Sequence, residues 1–137
     1  RPICLTANQD VEDERMAIYH TNVMMCVADT FVVICLDTID NEAERENVLE
    51  TITETGKEII EITEVQKHRF AGNMLQVMGD KPYLVMSKSA YSSLTEEQKI
   101  AIEKHCPILY SSLDTIEACG GGSARCMMAE IFLPKQK

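Results

Sequence analysis

Two stretches of the chain carry the same pattern of apolar and polar positions. Asn22-Val23-Met24-Met25-Cys26-Val27-Ala28-Asp29 is echoed 51 residues later by Asn73-Met74-Leu75-Gln76-Val77-Met78-Gly79-Asp80. A second apolar run follows each after a short polar break, at residues 31–36 and 83–86. Runs this short, separated by Asp29-Thr30 and by Gly79-Asp80-Lys81-Pro82, read as strands joined by hairpin turns.

The period then changes to that of a helix. Asn41 is placed to cap the first helix, with Glu44 in the capping-box position. Val48, Leu49 and Ile52 share a face, and Gly56 supplies the stop. The second helix starts at Thr95 with Gln98 in the same position, turns Ile100, Ala101 and Ile102 inward, and ends before Pro107. Residues 58–62 and 108–111 close the two copies with a third strand. The unit is ββαβ, present twice, and the fold class is α/β.

The modules run over residues 16–62 and 68–112, and a segment at 113–134 begins the pattern again and ends in a closing strand. His20, Asn73 and Cys126 fall at corresponding points of three successive modules. If the modules pack around a pseudo-rotational axis, these positions converge on one centre.

Length and composition bound the reading. The 137 residues, 45% hydrophobic and 26% charged, suit one compact domain. A net charge of −9 argues against a nucleic-acid or anionic-membrane partner, since both need a basic face. No apolar run approaches a transmembrane span and no signal peptide is visible. The six cysteines form no CxxC pair, so a metal site is not expected and the compartment reads as reducing and cytoplasmic. Cys4, Cys26, Cys35 and Cys106 read as buried thiols acting as small hydrophobes. No cofactor is expected. The chain opens on Arg1-Pro2-Ile3-Cys4-Leu5-Thr6, which reads as a strand and lacks an initiating methionine, as a fragment or processed product would. Residues 10–14 read as a solvated loop.

The chemistry concentrates near the C-terminus. Gly120-Gly121-Gly122-Ser123-Ala124-Arg125-Cys126 brings three glycines to a cysteine at the head of an apolar segment, where a strand is expected. Glycine permits positive φ and close approach to a ligand. An imidazole beside such a thiol favours the thiolate and serves as general acid and base, which pairs Cys126 with His20. Asn22, Asn73 and Ser123 are the candidate substrate-binding residues, with backbone bonding an equal alternative for the two asparagines. His68 and His105 read as a loop residue and a helix C-terminal residue. Arg125 reads as exposed or ion-paired.

Tyr19-His20-Thr21-Asn22-Val23-Met24-Met25, His68-Arg69-Phe70-Ala71-Gly72-Asn73-Met74-Leu75 and the glycine–cysteine loop together resemble the amidinotransferase/arginine-deiminase superfamily, the penteins. Within it the chain looks most like the bacterial amidinotransferase-like group that includes citrulline-utilisation hydrolases. The resemblance implies a β/α propeller of ββαβ modules, present here as the C-terminal part. It also implies an enzyme, a hydrolase or amidinotransferase acting on a guanidino or ureido group through a covalent cysteine intermediate, with Cys126 as nucleophile and His20 as its partner. Arginine-deiminase-like members carry an aspartate where this chain has Asn22, so a citrulline-like substrate is expected over an arginine-like one. An open partial propeller exposes apolar faces, so inactivity or homo-oligomerisation of residues 1–137 alone is expected. The alternative is a non-catalytic binding module of pentein ancestry.

Overall fold

The computed structural model of the chain describes residues 3–131. Two three-stranded sheets of identical connectivity follow one another. In the first, β3 (Met25–Val27) pairs antiparallel with β4 (Phe31–Ile34), and helix α1 (Glu42–Glu54) leads to β5 (Glu58–Glu61), parallel to β4. In the second, β6 (Leu75–Met78) pairs antiparallel with β7 (Pro82–Ser87), and β8 (Ile108–Ser111) returns parallel to β7. The ββαβ repeat is therefore present, with the second strand central in each sheet.

Strand β4 shows why its run reads as continuously apolar. Val32 and Ile34 pack with Met24, Val48 and Ile52 under α1. Phe31 and Val33 face the other way and share a core with Leu84 and Met86 of β7 and with Ile102. Alternate side chains of one strand thus serve two cores, and each fully buried aliphatic contributes about 1.5–3 kcal/mol.

The helices follow their capping signals closely. Asn41 caps α1 through Glu44 N–H, while the Glu44 carboxylate accepts from Thr6 N–H at 2.7 Å instead of closing the box. Gly56 lies just beyond α1 at φ +73, as a helix stop requires. Thr95 and Gln98 form the complete capping box of α4 (Glu96–Glu103). On that helix Ile102 is fully buried as expected, but Ile100 is 58% exposed, which corrects its expected place on the inward face. The capping glutamine also locks the seam between the repeats, since Gln98 Nε2 donates to Glu61 O at 2.7 Å. His105 belongs to the same seam. It lies just past the end of α4, as expected, and also stacks on Phe31 and contacts Glu58 at 2.9 Å and Thr30 at 2.8 Å.

Three helices escape the sequence pattern. α2 (Glu64–His68) joins the two repeats, α3 (Lys88–Ser93) precedes α4, and α5 (Asp114–Gly120) precedes the glycine run. The expected closing strand is replaced by a 3-10 turn, Ala124–Met127, followed by irregular chain to Ile131; residues 132–134 lie outside the described residues. The first run is likewise shorter than expected, because Thr21–Val23 forms a 3-10 turn ahead of β3.

The N-terminal segment also differs from expectation. Among its described residues, 3–7 are irregular and Cys4 is exposed, while the acidic stretch forms a hairpin of β1 (Asn8–Val11) and β2 (Glu14–Ala17). Arg15 anchors this hairpin. Its guanidinium meets Asp40 at 2.6 Å and Glu64 at 3.0 Å, tying β2 to the start of α1 and to α2. No helix among the described residues is long and apolar enough to cross a membrane.

Candidate active site

Three loops meet at one cavity of about 730 Å³. The turn before β3 brings His20 and Asn22, the loop before β6 brings Asn73, and the 3-10 turn after the glycine run brings Cys126. The first two loops precede the first strands of the two repeats, so equivalent positions of the repeat line one cavity.

Asn73 is the junction. Only 5% exposed, it donates from Nδ2 to Asn22 O at 3.4 Å and to Cys126 Sγ at 3.2 Å, while its Oδ1 accepts Arg125 N–H at 3.0 Å. Its whole amide is thereby satisfied, as a buried polar group requires. Both readings of this residue meet here, since it bonds backbone on two sides and touches the sulfur on the third. An N–H aimed at sulfur favours the thiolate over the thiol.

The neighbouring glycines are required by space. A Cβ on Gly72 would lie 2.5 Å from Val23 O, so only glycine lets this loop press against the turn carrying Asn22. A Cβ on Gly122 would lie 3.0 Å from Cys126 Sγ. Gly121 ends α5 at φ +66, which folds the chain back toward the cavity.

His20 is exposed, and its Nδ1 accepts Asn22 N–H at 3.4 Å, capping the 3-10 turn and fixing one edge of the ring. The side-chain amide of Asn22 makes no hydrogen bond among the described residues, and Asn22 lines the cavity. Ser123 is placed behind the cavity wall instead of in it: it is fully buried and donates its hydroxyl to Glu117 at 2.6 Å. Arg125 is ion-paired with Glu130 at 3.6 Å.

The cavity also holds residues that the sequence left unmarked. His68, read as a loop residue, ends α2 and lines it, as do Lys67, Gln9 and Phe70. Phe70 adopts φ +65 and terminates α2, with Phe70 N–H bonded to Lys67 O and Ala71 N–H to Gln66 O, the double bond of a Schellman stop. A non-glycine residue there costs on the order of 1–3 kcal/mol, and such strain gathers at functional sites. Lys67 is 3% exposed and donates to Gln9 Oε1 at 2.6 Å. Burial pushes its pKa below the ordinary lysine range, only partly opposed by Glu64. Among the described lining residues the charges are cationic and none is Asp or Glu.

Among solved structures, the chain is similar to the apo form of ArgZ, an arginine dihydrolase from the ornithine-ammonia cycle in cyanobacteria. The two are 18% identical with a TM-score of 0.58, a likeness of fold. The match covers 80% of this chain and 16% of that one, so the chain spans a small part of that protein's length. No curated protein matches the sequence significantly. The family model described as N,N dimethylarginine dimethylhydrolase, eukaryotic, matches residues 1–133. That span takes in every loop around the cavity, from the hairpin to the cysteine turn. With the repeat, the convergent loops and the solved neighbour in agreement, the chain belongs to the N,N dimethylarginine dimethylhydrolase family, within the pentein superfamily.

Proposed function

We propose that the full protein hydrolyses the central C–N bond of a guanidino or ureido amino acid through a covalent intermediate on Cys126. The single observation that carries this reading is the shared cavity, which Cys126 and His20 both line and in which the Asn73 amide touches the sulfur. His20 takes the thiol proton, and the thiolate attacks the planar carbon. The imidazolium then protonates the departing nitrogen, which leaves as ammonia or an amine. Water attacks the thio-linked carbon, giving up a proton to His20, and the carbon–sulfur bond breaks.

Hydrolysis is preferred to amidino transfer because the family is one of dimethylarginine dimethylhydrolases and the solved neighbour is an arginine dihydrolase. Asn22 supports a neutral ureido head, since an amide pairs with a citrulline-like group without the ionic partner that a guanidinium seeks. On this reading the substrate class is the one that the resemblance to citrulline-utilisation hydrolases implies. The test is an assay of the full-length protein on citrulline, arginine and N,N-dimethylarginine beside Cys126→Ser. The expected result is ammonia release from citrulline, abolished by Cys126→Ser, with a mass-shifted Cys126 after quenching. Turnover of arginine far above citrulline overturns the substrate class; full activity of Cys126→Ser overturns the mechanism.

A further inference from the structure

A buried ammonium lines the same cavity, and the reaction above makes no use of it. Lys67 stands in the last turn of α2, 3% exposed, with Nζ 2.6 Å from Gln9 Oε1. A neutral amide oxygen holds the ammonium without neutralising it. Among the described residues Lys67 makes no ion pair. Glu64, on the same helix, is committed to Arg15 through both carboxylate oxygens, at 3.1 and 3.0 Å. That ion pair also ties the hairpin carrying Gln9 to the helix carrying Lys67, so the two side chains are positioned together. The other lining cation, Arg125, is already answered by Glu130. A buried cation that lines a cavity without a direct ion pair is stabilised by an anion arriving there. The cavity volume of about 730 Å³ is ample for an amino acid.

We propose that Lys67, oriented by Gln9, receives the α-carboxylate of the substrate while the ureido or guanidino end lies at Cys126. The assignment rests on the reading of the site given above and makes Lys67 a specificity-determining residue. The test uses full-length Cys126→Ser protein, which separates binding from turnover. Dissociation constants are measured by calorimetry for citrulline against citrullinamide and for arginine against argininamide, with Lys67, Lys67→Met, Lys67→Arg and Gln9→Glu. The expected result is at least tenfold tighter binding of the acid than of the amide in the head group that binds. Lys67→Met and Gln9→Glu erase that ratio, the latter by offering a competing internal carboxylate, and Lys67→Arg keeps most of it. A ratio unchanged in both folded Lys67→Met and Gln9→Glu overturns the proposal, as does a ratio of one with Lys67 in place. Loss of turnover chemistry in the Cys126 protein with the ratio intact overturns the catalytic reading and leaves Lys67 standing.

Discussion

The side-chain amide of Asn73 donates to the sulfur of Cys126 at 3.2 Å, across a module boundary and 53 positions along the chain. The same amide holds Asn22 O and Arg125 N–H, so the geometry of the thiol and the packing of three loops depend on one buried residue.

Asn73→Ala is expected to destabilise the protein by about 1–3 kcal/mol, because it leaves Arg125 N–H and Asn22 O without their partner. It also removes the donor on the sulfur, so alkylation of Cys126 by iodoacetamide at neutral pH slows. Asn73→Asp slows it further by placing a negative charge beside the thiolate. Rates measured against pH separate the two effects, since the aspartate shifts the thiol's midpoint upward.

Gly72→Ala puts a methyl group into the Val23 carbonyl at 2.5 Å, a backbone contact that no rotamer relieves. The expected loss is about 2 kcal/mol or more in urea unfolding. A variant as stable as the parent would show that the loop carrying Asn73 does not press on the β3 turn.

The two ends of the glycine run differ. Gly120→Ala meets only Ile116 Cγ2 at 4.0 Å and should leave stability and Cys126 reactivity nearly unchanged. Gly122→Ala crowds Cys126 Cβ and Sγ, each at 3.0 Å, and should displace the thiol. The readout is Cys126 alkylation, expected to fall at least several-fold in Gly122→Ala alone.

Thiol labelling of the native protein should divide the cysteines by environment. Burial pushes the Cys26 thiol up to about 12 and the Cys35 thiol up to about 11, and Cys106 is buried beside Gln76. These three are expected to react only after unfolding, while Cys4, Cys119 and Cys126 are exposed and label in the folded state. Peptide mapping after timed labelling checks the division.

Acid should loosen the N-terminal hairpin. Hydrogen bonds from Arg15, then from Asn8, hold the Asp40 carboxyl below its ordinary range. Its folded pKa lies below the unfolded value of about 4, so the contribution is complete above that value and is lost as pH falls through the folded pKa. Asp40→Asn should therefore be less stable than the parent near neutrality and converge with it in strong acid. Because the pair is partly exposed, salt reduces the difference. Thermal unfolding against pH is the measurement.

Legibility followed the range of each interaction. The strands β4, β7 and β8 and the caps at Asn41 and Thr95 rest on local alternation and on hydrogen bonds a few residues long, and they lie close to where the pattern puts them. Helix α2 was hidden because its stop is Phe70 in a left-handed conformation, where sequence leads one to look for glycine. The β1–β2 hairpin was hidden because its stability comes from Arg15 reaching Asp40 and Glu64, residues far along the chain. Ile100 turned outward because the surface that α4 covers, shared by both repeats, decides its inward face and takes Ile102.

The sequence by itself determined the α/β class and the ββαβ repeat, since periodicity and residue type are properties of short segments. Only the tertiary structure decided that Asn73 touches the sulfur, that Ser123 turns away to Glu117, and that Lys67 and His68 line the cavity. Those placements depend on how two modules and a hairpin pack, and packing is set by contacts between residues that share no local pattern.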